Sequence, residues 1–373
     1  MPTMAAALFD PGKLSFRIAE LPRPEATPGT VVVKTGAAGI CGSDLHYMPL
    51  REGPETAPSG HESAGEIVEV GAGVSDLKPG ERVAMEFVGL ARACLSCWYC
   101  RQGQFVQCTR KRPGAGGAFA EYVRIAAAAC FRLDDRLSWE QGALVEPLSV
   151  GLHGVRRASL RSFETAVVLG AGTIGLATIA AARGLGAARI IATAKYPEQA
   201  AMARKLGADR VLAPEDEGPW TAAAERASGR GDDQYLPAGG SPLWEAVAEA
   251  TDGRGADVVF ESVGGTSGGP LLQAIAISRK QGRIVSVGVP KGLVPVSTVI
   301  MLRRELDMRM SHCYSVIEGR HDYEVSIELL ASGRASLGQI VTHRFALKDM
   351  NEAFETAHAK SSGVLKVQLL GPQ

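Results

Sequence analysis

Charge of one sign is what this 373-residue chain lacks: 40 Lys and Arg balance 40 Asp and Glu. A neutral chain offers no electrostatic case for nucleic acid or an anionic membrane as partner. Aromatic residues are scarce, 6% against 46% hydrophobic, so the core must be mostly Ala, Val, Leu and Ile. Long uncharged runs are scarce too. Residues 165–182 carry no charge, which is close to the ~18-residue minimum for a spanning helix. Three glycines at loop spacing and adjoining strand residues argue against a span there. The start, Met1-Pro2-Thr3-Met4, has neither a basic n-region nor a long apolar h-region, so no secretory leader is expected. No internal repeat or long disordered tract is visible. The length suggests two domains.

What is present is a cluster of thiols. Cys94, Cys97, Cys100 and Cys108 lie at spacings C-x2-C-x2-C-x7-C. Four soft thiolates on one short lobe suit a closed, tetrahedral Zn²⁺ site. The competing reading is a disulfide knot. Three of these cysteines sit too close together to pair with one another without strain, and no secretory signal precedes them. Cys41, Cys130 and Cys313 are scattered. Seven cysteines, most of them explained as metal ligands, fit a reducing cytoplasm.

A second constellation is dispersed. It comprises Cys41-Gly42-Ser43-Asp44-Leu45-His46, Gly60-His61-Glu62-Ser63-Ala64-Gly65, and Glu146-Pro147-Leu148-Ser149-Val150-Gly151-Leu152-His153. A catalytic zinc needs about three protein ligands and one open position. Cys41 and His61 fit two places. Glu62 or Glu146 fits the third, directly or through water. Asp44, His153 and Cys130 read as structural.

A third signal is independent of metals. Residues 166–169 read as a buried parallel strand. They run into Gly170, Gly172, Thr173, Ile174 and Gly175, a G-x-G-x-x-G pattern, and then an apolar helix to Leu185. A second strand is expected at 189–193. In that context the glycines let the backbone approach a pyrophosphate, and the helix N-terminus offers free N–H groups to it. Short strands near 31–34, 66–70, 82–84 and 120–125, separated by Gly/Pro turns, predict a β-rich first part. From about 156 the pattern alternates, with strands near 166–169, 189–193, 257–261 and 282–287 and helices between. Ser228–Ser241, rich in Gly, Pro and Asp, reads as a surface excursion. Its Arg230-Gly231-Asp232 is read as a solvated loop rather than an adhesion tripeptide.

Two zinc motifs followed by this fingerprint resemble the zinc-containing medium-chain dehydrogenase/reductase family, the alcohol and polyol dehydrogenases. The resemblance covers essentially the whole chain, including Val341-Thr342-His343-Arg344-Phe345 and Asn351-Glu352-Ala353-Phe354. Residues 146–153 resemble the sorbitol (polyol) branch, which has Glu where liver-type alcohol dehydrogenases have Cys. The resemblance implies an α/β protein. A doubly wound parallel-sheet Rossmann domain would span 156–299. A β-rich, partly barrel-like, GroES-like catalytic domain with the structural zinc lobe would span 1–155 and 300–373, the active site lying in the cleft between. It further implies a homodimer or homotetramer that moves hydride between a secondary alcohol (a polyol, cyclitol or related compound) or its ketone and NAD(P). Cys41, His61, Glu62 and Glu146 would form the catalytic zinc shell. Ser43 would hydrogen-bond the alcohol, and His46 would pass its proton outward. Two other readings are a cofactor-binding, non-catalytic module and a zinc-independent enoyl or quinone reductase. Intact Cys41, Ser43 and His61 speak against the first, and two zinc constellations against the second.

The tip of the second strand bears on the cofactor. NAD enzymes place a carboxylate there, roughly 20 residues past the glycines. Here the position is Ala194, followed by Lys195 and Tyr196. Removing the carboxylate relieves repulsion toward a 2′-phosphate, Lys195 supplies positive charge, and Tyr196 can stack on adenine. NADP is therefore expected over NAD. For substrate, Tyr47 matches a pocket tyrosine of the sorbitol-type enzymes. Cys313 stands where those enzymes carry a polyol-binding arginine, and His312 replaces an aromatic. Residues 109–118 also lack the usual polyol-lining segment. A cyclitol, an aminocyclitol, or a less polar secondary alcohol or ketone is thus expected as readily as sorbitol.

Overall fold

The computed structural model describes residues 2–114, 116–230, 236–237, 240–294 and 296–371. The chain forms two compact units, one of residues 1–149, 313–333 and 337–373, the other of 150–312 and 334–336. Among the described residues no helix is long and apolar enough to cross a membrane.

The first unit opens with an antiparallel hairpin of β1 (Thr3–Asp10) and β2 (Ser15–Pro22). Its main sheet is built on β3 (Thr30–Gly39), β4 (Glu62–Val70), β5 (Arg82–Glu86), β6 (Tyr122–Ala126) and β7 (Cys130–Arg132). β3 is central, pairing antiparallel with both β4 and β6. β5 joins β4 to β7. Val31 and Val33 on β3, Ile67 on β4, Val83 and Met85 on β5 and Val123 on β6 alternate inward and are buried in one core, as the period-2 geometry of strands requires.

The second unit is a six-stranded parallel sheet. Its strands are β8 (Thr165–Leu169), β9 (Arg189–Thr193), β10 (Arg210–Leu212), β11 (Ala256–Glu261), β12 (Ser278–Ser286) and β13 (Asp307–Met310). They stand in the order β10-β9-β8-β11-β12-β13, the 3-2-1-4-5-6 arrangement of a doubly wound dinucleotide fold. β8 is buried at every position, because helices cover both faces of such a sheet. The sheet runs past residue 299, the expected limit of this domain, because β13 adds in parallel to β12.

The expected excursion at 228–241 begins as regular structure. Residues Glu217–Arg230 form one helix, and Trp220, Ala223, Ala224 and Ala227 on it are buried in the unit's core. The Glu215 carboxylate accepts hydrogen bonds from Trp220 Nε1 (2.9 Å), the Ser241 hydroxyl (2.9 Å) and the Leu243 amide (2.8 Å). Gly231 and Asp232 lie outside the described residues.

After β13 the chain re-enters the first unit. β14 (Val316–Ile317) and β15 (Arg320–His321) make a tight hairpin, followed by helix Asp322–Ala331. β16 (Val341–Ala346) then lies parallel to β17 (Lys366–Leu370), and β17 pairs antiparallel with β3. That last pairing carries a C-terminal strand beside the residues leading into Cys41.

Candidate metal centres and nucleotide loop

The four-cysteine lobe is assembled almost wholly from local turns. Cys94 follows a 3₁₀ turn at Leu90–Arg92, Cys97 precedes the short helix Trp98–Arg101 that contains Cys100, and Cys108 follows a 3₁₀ turn at Phe105–Gln107. Their sulfurs stand 3.5 Å apart for Cys97–Cys100 and 4.0 Å for both Cys94–Cys100 and Cys97–Cys108. Those are non-bonded distances, and all four are free thiols. Sulfurs about 2.3 Å from a common tetrahedral ion stand about 3.8 Å apart, so the set fits Zn²⁺ with little adjustment. Backbone amides already face the sulfurs: Cys97 N donates to Cys94 Sγ at 3.2 Å, and Cys94 N to Cys108 Sγ at 3.3 Å. Hydrogen bonds from the Ser96 amide and hydroxyl pull the Cys94 thiol down to about 5. Those from the Cys100 and Thr109 backbone pull Cys97 down to about 7. Burial, then neighbouring Cys97, pushes Cys100 up to about 12. A cation among them relieves that conflict, since thiolates are the ligating form.

The second cluster depends on sheet register. β3 and β4 pair so that Gly39 faces Glu62. Cys41, just past β3 and at the N-cap of helix Gly42–Tyr47, therefore meets His61 and Glu62 at the start of β4. One ligand atom from each of Cys41, His61 and Glu62 lies within 4.8 Å of the others. Asp44 braces two of them: its Oδ2 accepts the Cys41 amide at 2.9 Å, and its Oδ1 is 3.7 Å from His61 Nδ1. At that separation the carboxylate acts on the imidazole through its charge and not through a hydrogen bond.

Lys366, only 2% exposed, forms an ion pair with Glu62 and donates to the Ile40 carbonyl at 2.9 Å. A Cβ at Gly39 would run into both partners of that pair. Sequence reasoning missed Lys366. Its one signal was a lone charge in the apolar run Val364-Leu365-Lys366-Val367-Gln368-Leu369-Leu370.

Glu146, on helix Val145–Arg157, is buried but is not one of the compact ligand set. Burial, then the charges of Glu62 and Cys41, raise its carboxyl well above the usual range, against His61 and Lys366. Burial pushes the Cys41 thiol up to about 12, with Glu62 and Asp44 adding to it. Asp44 is raised by burial as well. For His61 burial acts downward, but Asp44, Glu146 and Glu62 outweigh it and the net shift is up. Three buried carboxyls and the half-buried Cys41 thiol thus share one lysine and one imidazole. The sulfur, nitrogen and oxygen donors suit Zn²⁺, and a divalent cation supplies the charge the site lacks.

The remaining predicted residues are spread out. Ser43 is half-buried and hydrogen-bonds the Cys41 thiol. His46 and Tyr47 are exposed near the end of the same short helix. His312 is exposed and belongs to the second unit. His153 is buried, and Cys130 is half-buried with its thiol pushed up to about 12 by burial and Asp76.

In the second unit, β8 leads through Gly170, Ala171 and Gly172 into helix Thr173–Gly184. Gly175, in that helix's first turn, packs against the loop so closely that a Cβ would strike the Gly170 carbonyl. At Gly172 a Cβ would meet nothing within 4 Å, so the loop is tight on its inner side and open on its outer side, as a phosphate cradle must be. Thr193 at the end of β9 accepts the Gly170 amide at 2.9 Å. Ala194 is buried, Lys195 is exposed, and the Lys195 ammonium lies 5.6 Å from the Tyr196 ring centroid.

A thiolate lobe, a mixed-donor centre and a doubly wound sheet with a glycine loop together define a zinc-binding dehydrogenase. Residues 27–135 match the alcohol dehydrogenase GroES-like domain, and residues 173–332 match the zinc-binding dehydrogenase domain. The L-idonate 5-dehydrogenase of Vitis vinifera is 33% identical, over 98% of this chain and 93% of that one. The sorbitol dehydrogenase of Bacillus subtilis (strain 168) is 31% identical, over 95% and 94%. A zinc-binding dehydrogenase from Sinorhizobium meliloti 1021, solved bound to NADP, superposes with a TM-score of 0.80 at 26% identity, over 99% of this chain and 100% of that one. The chain belongs to the zinc-containing medium-chain dehydrogenase/reductase family, the alcohol dehydrogenases, and is similar to its sorbitol and polyol branch.

Proposed function

We propose that this protein is a zinc-dependent oxidoreductase that exchanges hydride between a secondary alcohol and its ketone, with NADP as the preferred nicotinamide cofactor. The observation that carries this is the Cys41–His61–Glu62 set in a chain that also holds a glycine phosphate loop. Relatives named for sorbitol and L-idonate support a polyhydroxylated secondary alcohol. The NADP-bound neighbour, with Ala194 and Lys195 in place of a carboxylate, supports the cofactor.

Cys41, His61 and Glu62 would hold the ion, and Glu146 would stand behind them. A zinc ion bound there supplies Lewis acidity that lowers the pKa of a substrate hydroxyl. The protein's own groups do the rest. Asp44 fixes the Cys41 backbone and the His61 ring. Lys366 pairs with Glu62 and offsets part of its charge. Ser43 would accept the hydrogen bond from the substrate hydroxyl and, as it takes that proton, pass its own on to His46, which releases a proton to solvent. Gly170, Gly172, Thr173, Ile174 and Gly175 seat the pyrophosphate, while Lys195 and Tyr196 receive the adenosine 2′-phosphate end. Tyr47 and His312 are assigned to substrate contact. The four cysteines of the lobe hold a second, structural zinc. A homodimer or homotetramer in the cytoplasm is the assembly and compartment that the family resemblance and seven free thiols support.

The test is a panel of polyols, cyclitols and secondary alcohols, each with NAD and with NADP. Alcohol-dependent reduction of NADP by at least one class is expected. Silence of both cofactors across the panel would leave a cofactor-binding module instead.

A further inference from the structure

The four-cysteine lobe does more than close on itself. Just beyond Cys100 it is clasped to the hairpin of β14 and β15. The Gly103 carbonyl accepts the Val316 amide at 3.1 Å. Gln104 Nε2 donates to Ser315 Oγ at 3.3 Å. The Phe105 ring stacks on His321, centroids 6.1 Å apart and planes 25° apart. The approach at Gly103 is close: its φ is +74°, and a Cβ there would lie 2.5 Å from Val316 Cβ.

The hairpin in turn is locked to the segment around Glu146. Asp322, fully buried, accepts the Ser315 amide at 2.8 Å and returns its own amide to the Ser315 carbonyl at 3.1 Å. Tyr323, also fully buried, donates to the Met85 carbonyl at 3.3 Å. Met85 is the β5 partner of Ser63, the residue after Glu62. Ser326, on the helix that follows, meets Ser149 Oγ at 3.0 Å, one helical turn beyond Glu146. The near end of this segment is Cys313-Tyr314. Phe131 closes the stack, 4.7 Å from His321 and 5.0 Å from Tyr323.

From this continuous chain of contacts we infer that Gly103, Gln104 and Phe105 are positioning residues for the reaction: through them the thiolate lobe holds the Cys313–Tyr323 segment against the Glu62–Glu146 centre. The inference rests on the proposed function for its kinetic consequence, though not for its structural one. A lobe without its ion loses the fold of the 94–108 turns and with it the register of the clasp. The Cys313–Tyr323 segment then loosens before the sheet does.

The experiment is Gly103→Val in the full-length, zinc-loaded protein, read in two ways. Site-resolved alkylation by iodoacetamide should speed up at Cys313 by about tenfold, because a local opening has become cheaper, while far-UV circular dichroism stays unchanged. KM for the alcohol should rise about fivefold with kcat within about twofold, as expected when a binding wall shifts and the reacting groups do not. Unchanged Cys313 alkylation and unchanged KM, with only a lower Tm, would overturn the inference and leave the lobe a purely structural element. If Gly103→Val does not fold, Gln104→Leu removes one hydrogen bond alone, and the same two readouts should move about twofold; no movement there refutes the clasp equally. Alkylation that responds in a protein oxidising no alcohol would uphold the clasp and remove the functional reading alone.

Discussion

The two metal-type clusters of this chain solve the same problem in opposite ways. The lobe gathers four ligands of one kind from a stretch of fifteen residues. Its turns present backbone N–H groups to the sulfurs, so thiolates are stabilised locally. The Cys41 centre gathers donors of three kinds from just past the end of β3 and from the start of β4, and sets them among buried carboxyls. There burial raises the acids instead of lowering them, and a lysine from β17 is needed to balance the charge. A closed, self-sufficient site suits a structural ion. An open, electrostatically unbalanced one suits an ion that must bind and release an oxygen ligand.

The sharpest way to break that contrast is Cys41→Ser. Turnover should fall by about a thousandfold or more, and the metal content should drop from about two ions per chain to about one, with far-UV circular dichroism unchanged. Retained activity in that variant, depleted of metal, would end the catalytic assignment. Lys366→Met asks whether the charge balance is real. It leaves Glu62 buried without its cation, so chemical denaturation of the metal-free protein should show a loss of about 3–5 kcal/mol. A loss under about 1 kcal/mol would mean the pair is no strut.

Cys97→Ser probes the other side of the comparison. The lobe should release its ion and stability should fall by about 2 kcal/mol, while the Cys41 centre keeps its own ion by metal analysis. Loss of both ions together would show that the two sites are not independent. The smallest effect is expected at the nucleotide end. Ala194→Asp should move the NADP/NAD ratio of kcat/KM by about tenfold toward NAD; a ratio that stays put or rises rejects the reading of Lys195 as the 2′-phosphate partner.

Much of this layout was legible in the chain. A strand before the glycine loop and a helix after it mark the loop in the sequence, and both are present with bounds within a residue or so of the expected ones. The β3–β5 strands are longer than the sequence pattern predicts. β3 extends to Gly39, and β4 begins at Glu62, because pairing across the sheet extends strands through residues of weak intrinsic preference such as Ala and Gly. The helix that precedes the stretch at 228–241 runs on to Arg230, and Trp220 and a stripe of alanines anchor it. Period-3.6 burial there is weak in hydrophobicity because the inner face is mostly Ala. β13 was missed because it is four residues long and half-exposed at an edge.

What the chain determined by itself were the donor sets whose spacing is short: four thiols on one lobe, Cys41 with its bracing Asp44, adjacent His61 and Glu62, and the phosphate loop. Chain connectivity alone keeps such groups near one another, so their types can be read without a fold. Tertiary structure decided which carboxylate comes within reach of Cys41 and His61, and that a lysine near the C-terminal end pairs with it. It also decided that the lobe is fastened to the hairpin beside Glu146. Those choices depend on the register of β3 with β4 and of β17 with β3, and on how deeply each charge is buried. Neither quantity is a property of neighbouring residues.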